Sequence, residues 1–376
     1  MKLIKFNYSE YLGLPLEWKL DETNLFDINL LVGVNASGKS RTLNTIVGLS
    51  RLLLEPQIIF IDGQWVASFE HNSDIYVYHL QIKNSAIKKE MLYVNDKIYI
   101  DRHSDGTGYI HSVQTKGRLN FKIPINQLIA FRRDEIQYPY LENLFNWASK
   151  LRHFRFAKEK ENKISILQSN KAPLDSFNLK ETDQSNSVFR IAFQTYGEKF
   201  SNSIIEDLNS IGYSIEDVSI GNISSLQESG LPLNIQGLNI KEKDIKGKID
   251  FINLSDGMFR ALSILIHFNF YKIANLSGTV LIDDIGEGLD FSRSTGLINL
   301  LIKKAQETNI QLIMSTNDKF VMNNTSLDYW QLIERKGQVV KSYNKLNSGE
   351  IFEEFKYTGL NNFDFYSTDF FKTGLK

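Results

Sequence analysis

The octapeptide GVNASGKS, residues 33–40, limits what this chain can fold into more than any other feature. It fits G-x-x-x-x-G-K-[ST], with Gly33, Gly38, Lys39 and Ser40 at the fixed positions. Glycines let a backbone wrap closely around an oxyanion, so that its N–H groups point at phosphate oxygens. In that geometry Lys39 reaches the β- and γ-phosphates, and the Ser40 hydroxyl holds Mg²⁺. The flanks agree. FDINLLVG (26–33) reads as a buried strand, and Leu43, Ile46, Val47, Leu49, Leu53 and Leu54 recur at helical spacing. A helix starting at the loop adds its positive dipole end to the anion site. Asn35 and Arg41, inside and just after the motif, join the expected nucleotide contacts.

The remaining sequence supports a globular α/β protein. The chain has 376 residues, 42% apolar and 23% charged, with a net charge of −1. That balance gives no bulk attraction for nucleic acid, so any such surface must be local. No run of about 18 apolar residues is present, which predicts no membrane span. The first residues lack the apolar core of a secretory signal. There are no cysteines, so disulfides and thiolate metal sites are excluded. These features together predict a cytoplasmic location.

Residues 56–130 are rich in short strands (QIIFI, WVASF, IYVYHLQIK, MLYV, KIYID, YIHSVQT, LNFKI) and predict an antiparallel arm. Asp62-Gly63, Asn95-Asp96 and Asp105-Gly106 are read as its turns. A helix is expected over 138–162, with Leu141, Leu144, Phe145, Ala148 and Leu151 on one face. A polar stretch follows at 163–185. Helix and strand then alternate from 251: a helix at 257–275, TVLID, a helix at 292–308 and QLIMS. The expected organisation is a first lobe with loop and arm (1–135), a helical or mixed lid (136–250), a second lobe (251–345) and a tail (346–376).

Two further segments carry chemistry. In NLSDGMFRAL (253–262), Ser255 reads as the N-cap of an apolar helix. In TVLIDDIGEGLD (279–290), a strand ends in Asp283 and Asp284. A carboxylate at a strand's end beside a phosphate loop holds Mg²⁺, and a second orients the attacking water.

The order of phosphate loop, long insertion, LSGG-like signature, Walker B and D-loop resembles the ATP-binding-cassette ATPases. The likeness is greatest to their soluble group around SMC, RecF, Rad50 and the overcoming-lysogenization-defect ATPases, smaller members of which serve bacterial anti-phage defence. The resemblance implies an α/β P-loop NTPase of ABC type with an antiparallel β arm and a mixed helical insertion. It also implies ATP and Mg²⁺ as cofactors, and a homodimer or higher homo-oligomer closed around ATP. Ser255 and Gly257 would then contact the γ-phosphate of the partner's nucleotide, Asp283 would serve Mg²⁺, and Gly288, Leu289 and Asp290 would form the D-loop. A Q-loop is expected near the end of a strand after the arm, where Gln137 is the candidate and fits a surface residue near a helix start equally well; Arg132 and Arg133 fit a phosphate contact or a cap on the sheet equally well.

Three positions depart from that pattern. Asp256 replaces the commonest signature glycine. Asp284 replaces the usual glutamate and is one methylene shorter, with Glu287 nearby to assist. Asn317 stands where histidine is usual, and it donates a hydrogen bond without taking on charge. The two altered catalytic positions, Asp284 and Asn317, therefore predict slow or conditional hydrolysis, with Glu287 either assisting or standing as a solvated turn residue.

The basic stretch 150–163 fits a solvated helix end or a contact to a DNA backbone. KEKDIKGK (241–248) reads as a charged hairpin. The six histidines show no metal-ligand spacing. No nuclease cluster appears, so a separately encoded effector, a nuclease among the options, is the expected partner. A RecF-like repair clamp and a transporter's nucleotide subunit are the alternatives. The aromatic tail NNFDFYSTDFF (362–371) is expected to dock on its own domain or on a partner.

Overall fold

The structure, a computed structural model, describes residues 1–55, 60–155, 185–223 and 236–374. These form two compact units, Met1–Leu151 with Ser326–Lys376, and Arg152–Thr325.

In the first unit, β1 (Lys2–Glu10), β2 (Trp18–Asn24) and β3 (Ile28–Val32) lead into the phosphate loop and α1 (Lys39–Leu54). All five residues of β3 are buried, as the continuous apolar run predicts for a strand covered on both faces. The arm follows as β4 (Asp62–His71), β5 (Asp74–Lys83), β6 (Ala86–Val94), β7 (Lys97–Arg102), β8 (Thr107–Ser112) and β9 (Gly117–Lys122). It is an antiparallel meander from β4 to β9, as expected. Trp65, Ala67 and Phe69 on β4 alternate inward with Tyr78, Leu80 and Ile82 on β5. The Trp65 indole donates to the Thr45 carbonyl of α1 at 3.2 Å, fixing the helix on this face. The helix α2 (Pro139–Ser149) adds Trp147, edge-on to Phe69 at 4.7 Å.

Glu90, fully buried, accepts from the Tyr78 hydroxyl at 3.0 Å and from the Ile129 and Ala130 N–H groups at 2.9 Å. It fastens the segment after β9 to the arm. Burial raises its carboxyl above the usual range.

Some turn and helix expectations differ. Asn95-Asp96 and Asp105-Gly106 do lie at turns, whereas Asp62-Gly63 opens β4, paired with Lys83 and Ile82. The tight turns at Asn72-Ser73 and Asn84-Ser85 use positive φ without glycine, so the usual Asn-Gly signal is missing. The helix expected over 138–162 stops at Ser149. Leu151 keeps the helical spacing but is buried as the first residue of β10 (Leu151–Phe154). Arg152, in the basic stretch read as a solvated helix end or a DNA-backbone contact, is 3% exposed and fits neither. The rest of that stretch from 156, residues 57–59 of QIIFI, and residues 163–184 of the polar segment lie outside the described residues.

In the second unit, α3 (Ser185–Tyr196) and α4 (Glu198–Ser210) precede an antiparallel sheet of β11 (Ile215–Asn222), β12 (Gln236–Glu242) and β13 (Ile249–Asp250). The charged hairpin expected at 241–248 joins β12 to β13. Then come α5 (Asp256–Ile273), β14 (Gly278–Ile282), α6 (Phe291–Gln306), β15 (Ile310–Thr316) and α7 (Lys319–Asn323). β14 and β15 pair in parallel. A buried polar cluster ties three helices together. Lys304 of α6 pairs with Asp207 of α4 at 2.8 Å, and Asn269 of α5 bridges both.

The chain returns to the first unit with β16 (Trp330–Lys336), parallel to β3, and β17 (Val339–Tyr343), parallel to β2. Short helices α8 (Gly349–Lys356), α9 (Asn362–Ser367) and α10 (Phe370–Thr373) end the described chain. Phe365 is fully buried among Phe352, Phe355, Phe370 and Trp330, so the aromatic tail docks on its own domain.

Candidate functional site

The phosphate loop joins β3 to α1. A Cβ at Gly33 would lie 2.6 Å from both the Ile333 carbonyl oxygen and Ser37 Oγ, so only glycine fits. Gly38 has φ +108, and Ala36 is left-handed at φ 63, which completes the inward curl of the loop. Lys39 is 7% exposed and folds back over the loop, donating to the carbonyls of Gly33 at 2.7 Å and Val34 at 3.1 Å. Ser40 is the second residue of α1, and Asn35 is exposed at the loop's crest. Arg41 pairs with Glu10 and stacks 4.6 Å over Trp18. The loop's geometry fits a polyphosphate. A lysine cation sits at its mouth, and Ser37 carries a buried hydroxyl with no hydrogen-bond partner among the described residues.

The docked tail flanks this loop, which the sequence did not foretell. Tyr366 of the tail faces Val34 across a shared cavity, and Lys372 pairs with Glu334 at 2.8 Å. A cavity of about 490 Å³ lies between Val34–Ser37, the end of β16, Tyr366 and Phe371.

Gln137 is not at a strand end. Residues 123–138 form successive turns, where the Gln137 N–H donates to Asp134 Oδ1 at 2.9 Å and its carbonyl accepts from Val113. The strand expected before it is not formed among the described residues; Glu90 instead holds the Ile129 and Ala130 N–H groups of this turn-rich segment. Arg133 is bound to Glu142 and lies 3.5 Å over the Phe145 ring.

In the second unit, Ser255 caps α5 by accepting from the Met258 N–H at 3.3 Å. Ser255 and Asp256 are exposed, whereas Gly257 is buried. A Cβ on Gly257 would stand 2.3 Å from the Gly288 carbonyl oxygen and 3.0 Å from Leu289. The signature-like helix start and the GLD segment are thus packed against each other, with Gly288 itself at φ +77.

The acidic turn after β14 is held by polar groups distant in sequence. Asp283 is 8% exposed, and its Oδ1 accepts from the Ser315 hydroxyl at 2.5 Å. The same hydroxyl accepts from the Asp284 N–H at 3.0 Å. Asp284 is left-handed at φ 49, an uncommon state for a residue other than glycine. The turn closes with the Glu287 N–H on the Asp284 carbonyl at 3.1 Å. Arg260 of α5, 4% exposed, donates to the Glu287 carbonyl and pairs with Glu287 Oε2 at 3.2 Å. Asp284, Glu287 and Asn317 line one polar cleft of about 160 Å³ with Gly286, Thr316 and Asp318. Residues chosen from two separate segments are therefore brought together. Sequence reasoning missed Ser315 and Arg260, whose residue types carry no signal of their own.

Taken each in its own unit, the Ser40 hydroxyl and the Asp283 carboxylate are oxygen donors of the kind taken by Mg²⁺, a hard cation usually completed by phosphate oxygens and water. Among the described residues, no cluster of three or more His, Asp or Glu able to hold a metal by itself assembles. Among them, too, no helix is long and apolar enough to cross a membrane.

Comparison with known proteins agrees with this geometry. A crystal structure of an SMC head bound to the C-winged-helix domain of ScpA superposes with a TM-score of 0.53 at 14% identity, covering 91% of this chain and 97% of that one. The SMC head domain with an extended coiled coil, bound to the C-terminal domain of ScpA derived from Pyrococcus furiosus, gives 0.51 at 12% identity, covering 94% and 99%. The fold is therefore the ABC-type P-loop fold of SMC heads, as the motif order led us to expect. No curated protein matches the sequence. The family model described as "AAA domain, putative AbiEii toxin, Type IV TA system" matches residues 28–323, from β3 through α7, and the chain belongs to that family.

Proposed function

We propose that this protein is an ATP-binding switch with slow or conditional hydrolysis, which dimerises around ATP and Mg²⁺. The observation that carries this reading is the exposed Ser255–Asp256 helix start with the Gly288–Leu289 backbone packed against Gly257. A capped helix N-terminus of 18 residues presents N–H groups and a positive dipole end to an anion. In the dimer this surface meets the γ-phosphate held by the second copy's loop.

In each subunit Gly33, Asn35, Gly38, Lys39, Ser40 and Arg41 bind the nucleotide, and Asp283 with Ser40 serves Mg²⁺. When bound, Mg²⁺ neutralises charge on the β- and γ-phosphate oxygens. Asp284 orients the attacking water and takes its proton as the bond to the β–γ bridging oxygen breaks. Asn317 donates to the γ-phosphate. Glu287, bound to Arg260, holds the turn's outer end. The shortened Asp284 and the uncharged Asn317 keep turnover low. Intrinsic turnover above roughly 10 s⁻¹, a typical enzyme median, would contradict this.

The output is control of a separately encoded effector or clamping of nucleic acid, within anti-phage defence. Supporting it, the two SMC heads named above are each bound to a domain of a separate protein. ATP-dependent duplex binding with steep salt dependence would select the clamp. The dimer is tested by light scattering with and without ATP–Mg²⁺, for the wild type and Ser255→Arg. ATP should double the mass of the wild type alone. An unchanged wild-type mass would overturn the switch.

A further inference from the structure

The acidic turn poses a geometric problem. Aspartate at position 284 is one methylene shorter than the glutamate usual there, and a free Asp-Ile-Gly-Glu turn has no reason to place it. Two residues address this. Ser315 is fully buried on β15, two positions before Asn317. Its hydroxyl donates to Asp283 and accepts from the Asp284 N–H, at 2.5 and 3.0 Å. It thereby sets the direction in which the chain leaves β14. Arg260 is buried on the first turns of α5 and grips the exit of the same turn through the Glu287 carbonyl and carboxylate. Between these two anchors Asp284 adopts φ 49, which points its side chain away from the path an extended strand would take. The cleft shared with Asn317 lies at this bend.

We infer that Ser315 and Arg260 are positioning residues that clamp the acidic turn at both ends, and that this clamp, rather than side-chain length, sets the reach of Asp284. The inference rests on the hydrolytic reading above. It also explains how a shortened acid stays functional. A hydroxyl held between Asp283 and the Asp284 backbone couples the metal-side carboxylate to the water-side one, so the two move together.

The test uses the full chain with ATP and Mg²⁺, measuring kcat, KM, ATP affinity by calorimetry, Mg²⁺ dependence and melting temperature. Ser315→Ala should lower kcat ~10- to 100-fold, the scale of a misplacement of about 1 Å, with KM and ATP affinity within about twofold. Ser315→Thr, which keeps the hydroxyl, should recover most of the rate. Because Ser315→Ala alters the core, Asp284→Glu at the accessible cleft is the second variant. The clamp predicts that the longer acid slows turnover, whereas an unclamped turn predicts that it speeds turnover. Full activity of Ser315→Ala, rescue of its rate by raised Mg²⁺, loss of rate in step with ATP affinity, or faster Asp284→Glu would each overturn the clamp. If Asp284→Ala matches the wild type, or the wild type does not hydrolyse ATP, the hydrolytic reading fails and the clamp falls with it. If Asp284→Ala is inactive while Ser315→Ala is not, only the clamp fails.

Discussion

The phosphate loop and the acidic turn are both bends at the end of a buried strand, yet they are built by opposite means. The loop's lysine hydrogen bonds stay within its eight consecutive residues, with Lys39 closing on carbonyls five and six positions back, while Gly33 and Gly38 leave room for the Ile333 carbonyl, Val340 and Trp18 packed against it. The acidic turn spans Asp283–Glu287 and borrows its shape from Arg260, 27 positions before Glu287, and from Ser315, 32 positions after Asp283. A bend of the first kind takes its polar closure from its own residues and needs only space from its neighbours. A bend of the second kind depends on α5, β14 and β15 staying in register.

The comparison breaks most visibly where the second unit is held together. Lys304→Met strands Asp207 in a buried site and should cost about 3–5 kcal/mol of stability, read by denaturant unfolding. If the cost is small, the second unit's framework does not rest on its polar cluster, and long-range support is a weaker idea than we argue. Next, Lys39→Ala removes a charge-assisted contact from the self-contained loop. ATP affinity should fall about 30-fold, or about 2 kcal/mol, with an unchanged melting temperature. A large loss of stability would show that the loop, too, depends on its surroundings.

Buried titratable groups sharpen the contrast through pH. His267 in the second unit is held neutral, its value lowered to about 3 by burial and by the nearby Arg152 cation. The unfolded chain binds that proton below about 6.5, so stability is full above that pH and is lost as pH falls towards 3. At pH 5 the loss is about 2 kcal/mol relative to pH 7. His267→Leu should flatten this arm of a melting curve measured against pH. Glu90 in the first unit is shifted upward, so its contribution has the opposite sign and weakens as pH rises above the ordinary carboxylate value.

The smallest expected effect concerns a glycine. In a helix, Gly→Ala by itself stabilises by up to about 1 kcal/mol. At Gly257 the new Cβ meets the Gly288 carbonyl oxygen at 2.3 Å, so Gly257→Ala should instead destabilise by about 1 kcal/mol or more. A stabilised variant would show that the signature-like helix start and the GLD segment are not in close contact in solution.

Much of the site was legible because its chemistry is local. GVNASGKS declared its loop, Ser255 its cap and Asp283-Asp284 their strand end, each from neighbours within a few positions. The antiparallel arm was legible from period-two alternation. The helix over 138–162 was overextended because Leu151 repeats a helical spacing while serving a strand, and periodicity cannot separate the two at a boundary. The turns at Asn72-Ser73 and Asn84-Ser85 were missed because asparagine and serine took left-handed conformations usually left to glycine.

By itself, the sequence determined the phosphate loop, the order of elements and the residue types offered to ATP and Mg²⁺, because these follow from backbone sterics and local hydrogen bonding. Only the tertiary structure decided that Asp284, Glu287 and Asn317 share a cleft, that Ser315 and Arg260 hold the turn between them, and that the aromatic tail borders the loop across a cavity lined by Tyr366 and Phe371. Those facts depend on side chains from separate strands and helices meeting in a buried, low-dielectric interior. There the cost of leaving a polar group unpaired selects one arrangement, and spacing along the chain carries no trace of it.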